Sequence, residues 1–326
     1  MALNMTELSV LSAGLDAIDD VLRQELAQGD SQIASIAPIL RHLLANDEHS
    51  VFGDEVIARV RGLLADVARQ LLDALAVARG EGDDRDHPGA DIDALVIALA
   101  GIAGFLTHVH GLALEWQLTE RLQARLALDP VVSPLLQALI ASNEPPTAAA
   151  AMALLAQQAR FAQNQRRMQL PLTELPGDLL HGALITLQNH SHSDPSAKAA
   201  VDQAVAGIRK EFDESRGRLG LISQLVAGMG GGASAALSIT HAGAAIFLSA
   251  LAMASGHDRD LAVLATNESQ VARFALALRA AGLKPHSIDE QFAALHPEVT
   301  LPGGFENLGT DRAAALLAHS SAYLAR

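Results

Sequence analysis

The sequence contains no cysteine. This removes disulfides, thiolate metal sites and cysteine nucleophiles together. Aromatic residues are nearly as scarce, with eight Phe, one Trp and one Tyr in 326 residues. The interior must therefore be filled by alanine and leucine, whose side chains let helices approach one another closely. Runs of alternating Val, Ile, Thr and Tyr between turn dipeptides are missing, so a β-sheet has no pattern to build on. Basic residues are the minority charge. With a formal net charge of −14, the chain is a poor generic ligand for DNA, RNA or anionic lipid, all of which need dense Lys and Arg.

What is present points to helix. Alanine and leucine are strong helix formers, and half of the residues are hydrophobic. We expect an all-α chain, an N-terminal helical bundle followed by a larger array of antiparallel helix pairs. The clearest linker is residues 81–90, where glycine, clustered acid, His87, Pro88 and Gly89 follow Gly80. It separates an acidic N-terminal bundle, residues 1–80, from residues 91–326. Further breaks are expected near 191–196 and, as a glycine hinge, at 228–232. Residues 1–90 hold sixteen Asp and Glu against seven Arg and no Lys, a net of −9. That part is the more solvated one or the one that faces a basic partner.

Periodicity and caps place the helices. The first is expected to run from Thr6 to a stop at Gly29, and the second to carry Ile33, Ile36, Leu40 and Leu43 inward past a kink or restart at Pro38. A third begins near Asp54 with Val56, Val60, Leu63, Leu64, Val67, Leu71 and Leu75 as its buried stripe and Gly80 as its stop. An apolar helix capped by Asp91 or Asp93 is expected to continue through Gly101 and Gly104. Beyond the proline-punctuated middle, a helix from Ser196 runs past Arg218, Thr240 caps a buried helix closed by Gly256, and Asn267 caps another that ends at Gly282. Residues 94–114 and 219–257 carry no Asp, Glu, Lys or Arg. Their apolar runs are short or glycine-broken and have no basic flanks, so we read them as core helices, not membrane spans.

Residues 241–299, which include ALAMASGHDRDLAVLAT, LALRAAGLKP and FAALHPEV, resemble the C-terminal part of an uncharacterised bacterial family of all-helical domains. The resemblance covers under a fifth of the chain. It implies helix and cytoplasm, and no activity.

No candidate for chemistry is complete. His108 and His110, two apart on a helix, point in nearly opposite directions and do not share a metal. His190, Ser191, His192 and Asp194 have a spacing that an irregular loop turns inward, although a solvated loop is the simpler reading. Asp178 and His181 form a single Glu-x-x-His-like element, too little for a di-iron bundle. Gly228, Gly230, Gly231 and Gly232 lack the preceding strand that a dinucleotide fold requires. Residues 258–281 have the cadence of a helix-turn-helix, but the second helix offers only Gln270, Arg273 and Arg279 to read bases. Phosphotransfer at His181 or His241 lacks an acidic neighbour after the ring. Arg166 and Arg167 are the one local basic spot, while Arg209, Lys210, Arg216 and Arg218 read as a solvated mixed run.

The expectation is therefore a cytoplasmic scaffold or regulatory adaptor that binds another protein, with no metal and no cofactor. Neither nucleic acid nor membrane is expected as a partner, and self-association remains open. The start, MALNMTELSV, has no secretory pattern. The alternative is a small-molecule pocket, an enzyme's included, with His108, Trp116, His181, His241, Arg166 and Arg167 as its candidate ligand-binding residues.

Overall fold

The computed structural model describes residues 5–45, 54–81, 87–190 and 198–324. The chain is all-α: 81% is helical and the described residues contain no strand. The helices run, in order, α1 (Met5–Ala45), α2 (Asp54–Ala78), α3 (Gly89–Ala100), α4 (Phe105–Leu126) and α5 (Pro134–Ile140). Then come α6 (Pro145–Arg166), α7 (Gly177–His190), α8 (Lys198–Glu211), α9 (Arg218–Gly228) and α10 (Ile239–Ser255). The last four are α11 (Arg259–Leu264), α12 (Val271–Ala280), α13 (Pro285–Leu295) and α14 (Thr310–Leu324).

The chain divides into two compact units. The first is made of Met1–Ile36, Gln117–Thr147 and Leu225–Arg326, and the second of Ala37–Trp116 and Ala148–Gln224. In the second unit α2 is the central helix and packs against α3, α7 and α8. The stripe read from its sequence is buried at Val60, Leu63, Leu64, Val67, Leu71 and Leu75, because residues three and four apart share one face of a helix. Gly80 ends it with φ of 76°, a left-handed conformation that glycine adopts without steric cost.

In the first unit α10 is central, with α5, α11, α12 and α13 packed on it and α14 packed on α12. Every residue from Ala244 to Ala252 is buried. Three of the few aromatic rings cluster here: Phe247, Phe274 and Phe292 follow one another at centroid distances of 6.3 and 5.3 Å. Gly256 closes α10 in the left-handed conformation, and Asn267 caps the turn before α12 by accepting from the Ser269 amide.

The expected caps at Asp91 or Asp93 and at Thr240 fail, since Pro88 precedes α3 and Ser238 precedes α10. Three expectations of where helices end also fail, each for a local reason. Gly29 does not end a helix, since α1 runs through it and holds Pro38 inside as well. The missing side chain instead makes room for Gln270, whose Nε2 donates to the Gly29 carbonyl at 2.9 Å. The apolar helix does not continue through Gly101 and Gly104. It stops at Ala100, Gly104 takes φ of 78°, and α4 leaves at 98° to α3. The helix from Ser196 does not reach Arg218: α8 ends at Glu211, and Asp213 caps a single 3-10 turn, Glu214–Arg216, before α9 begins.

Among the described residues no single helix is long and apolar enough to cross a membrane. Two bent pairs, α3 with α4 and Gly230–Leu237 with α10, reach that length and composition only together.

Candidate functional site

The second unit holds a charged cluster in its interior. Arg218, the first residue of α9, donates to both oxygens of Glu115 on α4, at 2.6 and 3.1 Å. Both side chains are 1% exposed. The guanidinium lies 3.6 Å from the centre of the Phe161 ring of α6, and its Nε stands 3.9 Å from Glu174. Phe161 meets Trp116 edge-on at 6.5 Å. Arg59 of α2 and Arg166 of α6 approach the Trp116 ring at 6.0 and 5.8 Å. A guanidinium stacked on an aromatic face and held by a two-pronged carboxylate contact is the strongest pairing these side chains make.

Each partner is placed by its own local structure. Gln157 donates to the Arg216 carbonyl at 3.2 Å and so fixes the turn that precedes α9. Gly220 lies against the Glu214 carbonyl and the Ser215 backbone, where a Cβ has no room. The first turn of α9 closes onto that turn only because residue 220 is glycine. Glu174 sits at the end of a strap that α2 holds from below. Asp66 accepts from the Leu170 amide at 2.9 Å, Gln70 donates to the Leu170 carbonyl at 2.8 Å, and the Leu172 amide donates to Gln70 at 3.0 Å. Arg59 adds a bond to the Gln165 carbonyl at 2.5 Å.

The charges are not equally comfortable. Burial works against the Arg218 charge, but Glu115 and Glu174 outweigh it and hold the guanidinium above its ordinary range. Burial pushes the Glu174 carboxyl up, although Arg218 pulls the other way, so Glu174 is the member of the cluster readiest to accept a proton. Nearby on α4, burial alone pushes His110 down to about 4, so this ring is neutral at physiological pH. The cluster of Glu115, Arg218, Glu174, Phe161 and Trp116 contains no hydroxyl, thiol or imidazole. Its contacts tie α4, α6, α9 and the 172–174 strap together.

The first unit has a counterpart. Arg273 of α12 pairs with Asp30 of α1, and its Nη2 also donates to Ser320 of α14 at 2.9 Å. Ser320 in turn donates to the Asp30 carboxylate, with its Oγ 2.9 and 2.8 Å from the two oxygens.

The residues singled out from the sequence are scattered. His108 and Trp116 are buried on α4. Arg166 and Arg167 are exposed at the end of α6, and Arg166 alone reaches Trp116. His181 is exposed on α7, with Arg209 donating to its Nδ1 at 3.3 Å. His241 is half-buried on α10, in the first unit. His190 ends α7, while Ser191, His192 and Asp194 lie outside the described residues. Of Gln270, Arg273 and Arg279, the side chains a helix-turn-helix would use to read bases, the first two are buried and Arg279 is half-buried, donating to the Leu308 and Leu283 carbonyls. Arg218 is the clearest correction. Sequence placed it in a solvated run, and Arg209, Lys210 and Arg216 are indeed exposed, but Arg218 is in the core. The one signal was its position, last before a stretch of 39 residues without charge and flanked by Gly217 and Gly220. Among the described residues, no group of three or more His, Asp or Glu side chains is placed to hold a metal ion.

Compared with protein-family models, with curated proteins and with solved structures, the chain matches none.

Proposed function

We propose that the chain is a cytoplasmic, bacterial helical adaptor or scaffold that binds another protein, one presenting basic and apolar side chains together. One observation carries this reading. The mutually packed helices α2, α3 and α7 each leave a large apolar side chain in solvent: Val77 is 54% exposed, Ile97 59% and Ile185 41%. Asp91 and Asp93 are exposed on the same α3. Apolar anchors rimmed by charge are the usual composition of a protein-binding surface, and the net charge of −14 favours a basic counterpart. Meanwhile the most buried carboxylates and guanidinia are engaged with one another. The small-molecule alternative gains no comparable support, because His181, Arg166 and Arg167 are exposed.

The test uses the full chain and the variant Ile97→Glu with Ile185→Glu, after circular dichroism shows equal helicity. The wild type retains a stoichiometric protein, and binding reconstituted from the two purified components weakens by at least about tenfold in the variant. Equal binding by the variant, or turnover of a small molecule by a chain that retains no protein, contradicts the proposal.

A further inference from the structure

The first unit holds a crevice that opens to solvent between α11, α12 and α14. We propose that it is a binding site for an uncharged hydroxyl group, that of water or of a short alcohol. Its walls are apolar, formed by Leu261, Ala262, Ala277 and Leu317, and its polar lining comes from Arg273, His257 and Ser255. The space holds roughly one water molecule.

Arg273 supplies a donor. It is 2% exposed, its Nη2 is taken by Asp30 and Ser320, and its Nε donates to Gln270 at 3.2 Å. Its Nη1 is buried with no hydrogen-bond partner, and an unmet buried N–H of a guanidinium is costly enough that an acceptor is drawn to it.

His257 supplies an acceptor. Ser255 donates its single hydroxyl proton to the Leu251 carbonyl at 2.7 Å. In the 3.2 Å contact between Ser255 Oγ and His257 Nδ1 the ring must therefore be the donor, which leaves the lone pair of the neutral imidazole on Nε2. Burial first, and then the Arg273 charge, hold His257 below its ordinary range and keep it neutral.

One donor and one acceptor among the lining side chains select the ligand. A hydroxyl accepts from Nη1 and donates to Nε2. An anion meets a lone pair at Nε2 and a guanidinium already neutralised by Asp30, while a cation meets Arg273. The inference stands apart from the adaptor reading, because it rests on the first unit alone.

The test is a high-resolution crystal structure of the full chain, with parallel soaks in ethanol and in bromide, and long-range ¹⁵N–¹H spectra of its histidines in solution. The expected result is an oxygen within about 3.2 Å of both Arg273 Nη1 and His257 Nε2, with Nε2 unprotonated at neutral pH. Ethanol taking that place supports an alcohol as occupant, and water persisting in ethanol supports water. The variant Ala277→Leu fills the crevice and is expected to lose the oxygen while the Asp30, Arg273 and Ser320 contacts remain. A dry crevice in the wild type, a bromide ion against Nη1, a proton on Nε2 or an oxygen that survives Ala277→Leu overturns the proposal.

Discussion

The most deeply buried guanidinium of each unit is served differently. Arg218 in the second unit has a two-pronged carboxylate, an aromatic face and a second carboxylate 3.9 Å away. Burial opposes its charge, yet the carboxylates prevail. Arg273 in the first unit has a single carboxylate, Asp30, which it shares with the Ser320 hydroxyl. There burial prevails and the guanidinium is pushed below its ordinary range. Carboxylate count separates the two outcomes. Each arginine keeps one buried N–H without a hydrogen bond, Nε in Arg218 and Nη1 in Arg273, and Arg273 lines a crevice. In an interior built from Ala and Leu, such pairs contribute what apolar contacts supply poorly, a single arrangement of helices. Replacing the whole pair is often harmless, but removing one partner leaves an uncompensated buried charge.

That asymmetry sets the largest expected effect. Glu115→Ala strands the Arg218 charge and should destabilise the second unit by about 3–5 kcal/mol. Glu115→Leu combined with Arg218→Met should recover most of that loss. Urea titration followed by tryptophan fluorescence reads the second unit directly, because Trp116 is the only tryptophan.

The next effect comes from pH. His110 is held at about 4 in the folded state against an ordinary 6.5, so below 6.5 the unfolded chain binds a proton that the folded one refuses. Stability of the second unit is therefore complete above pH 6.5 and falls by about 3 kcal/mol as pH drops to 4. His110→Leu should flatten that part of the profile. Glu174 acts with the opposite sign. Its raised folded value makes the unit more stable while it is protonated and less so as pH rises through that value. Glu174→Gln should consequently raise the unfolding midpoint at neutral pH, and a lowered midpoint would show that its 3.9 Å contact with Arg218 is a net stabiliser.

In the first unit, Ser320→Ala removes the hydroxyl shared by Asp30 and Arg273 and should cost about 1–2 kcal/mol. That is less than the loss at Glu115, since the ion pair itself remains. A loss as large as that of Glu115→Ala would erase the contrast between the units. The smallest effect is at Ala127, which ends α4 with φ of 53°, where an L-residue is strained and glycine is not. Ala127→Gly should stabilise by about 0.5–1 kcal/mol in thermal melts.

Short-range features were legible in the sequence. The buried stripe of α2, its stop at Gly80, the closure of α10 at Gly256 and the Asn267 cap depend on residues within a few positions of one another. The pairs that organise each unit were not, because Glu115 and Arg218 are 103 residues apart and Asp30 and Arg273 are 243 apart. No periodicity reports such a meeting. Arg218 was misread because burial there follows from where α9 begins, and that is decided by the Asp213 cap and by the lack of a side chain at Gly220. Gly29 was misread for a similar reason. A glycine that admits Gln270 cannot be told by sequence from one that ends a helix.

The central claim, that the Glu115 and Arg218 charges exist for each other and not for a substrate, is tested most directly by a double-mutant cycle of Glu115→Gln and Arg218→Met, read by Trp116 fluorescence in urea. The account predicts a coupling of about 2–3 kcal/mol, with the double variant more stable than either single one. Additive losses would contradict it.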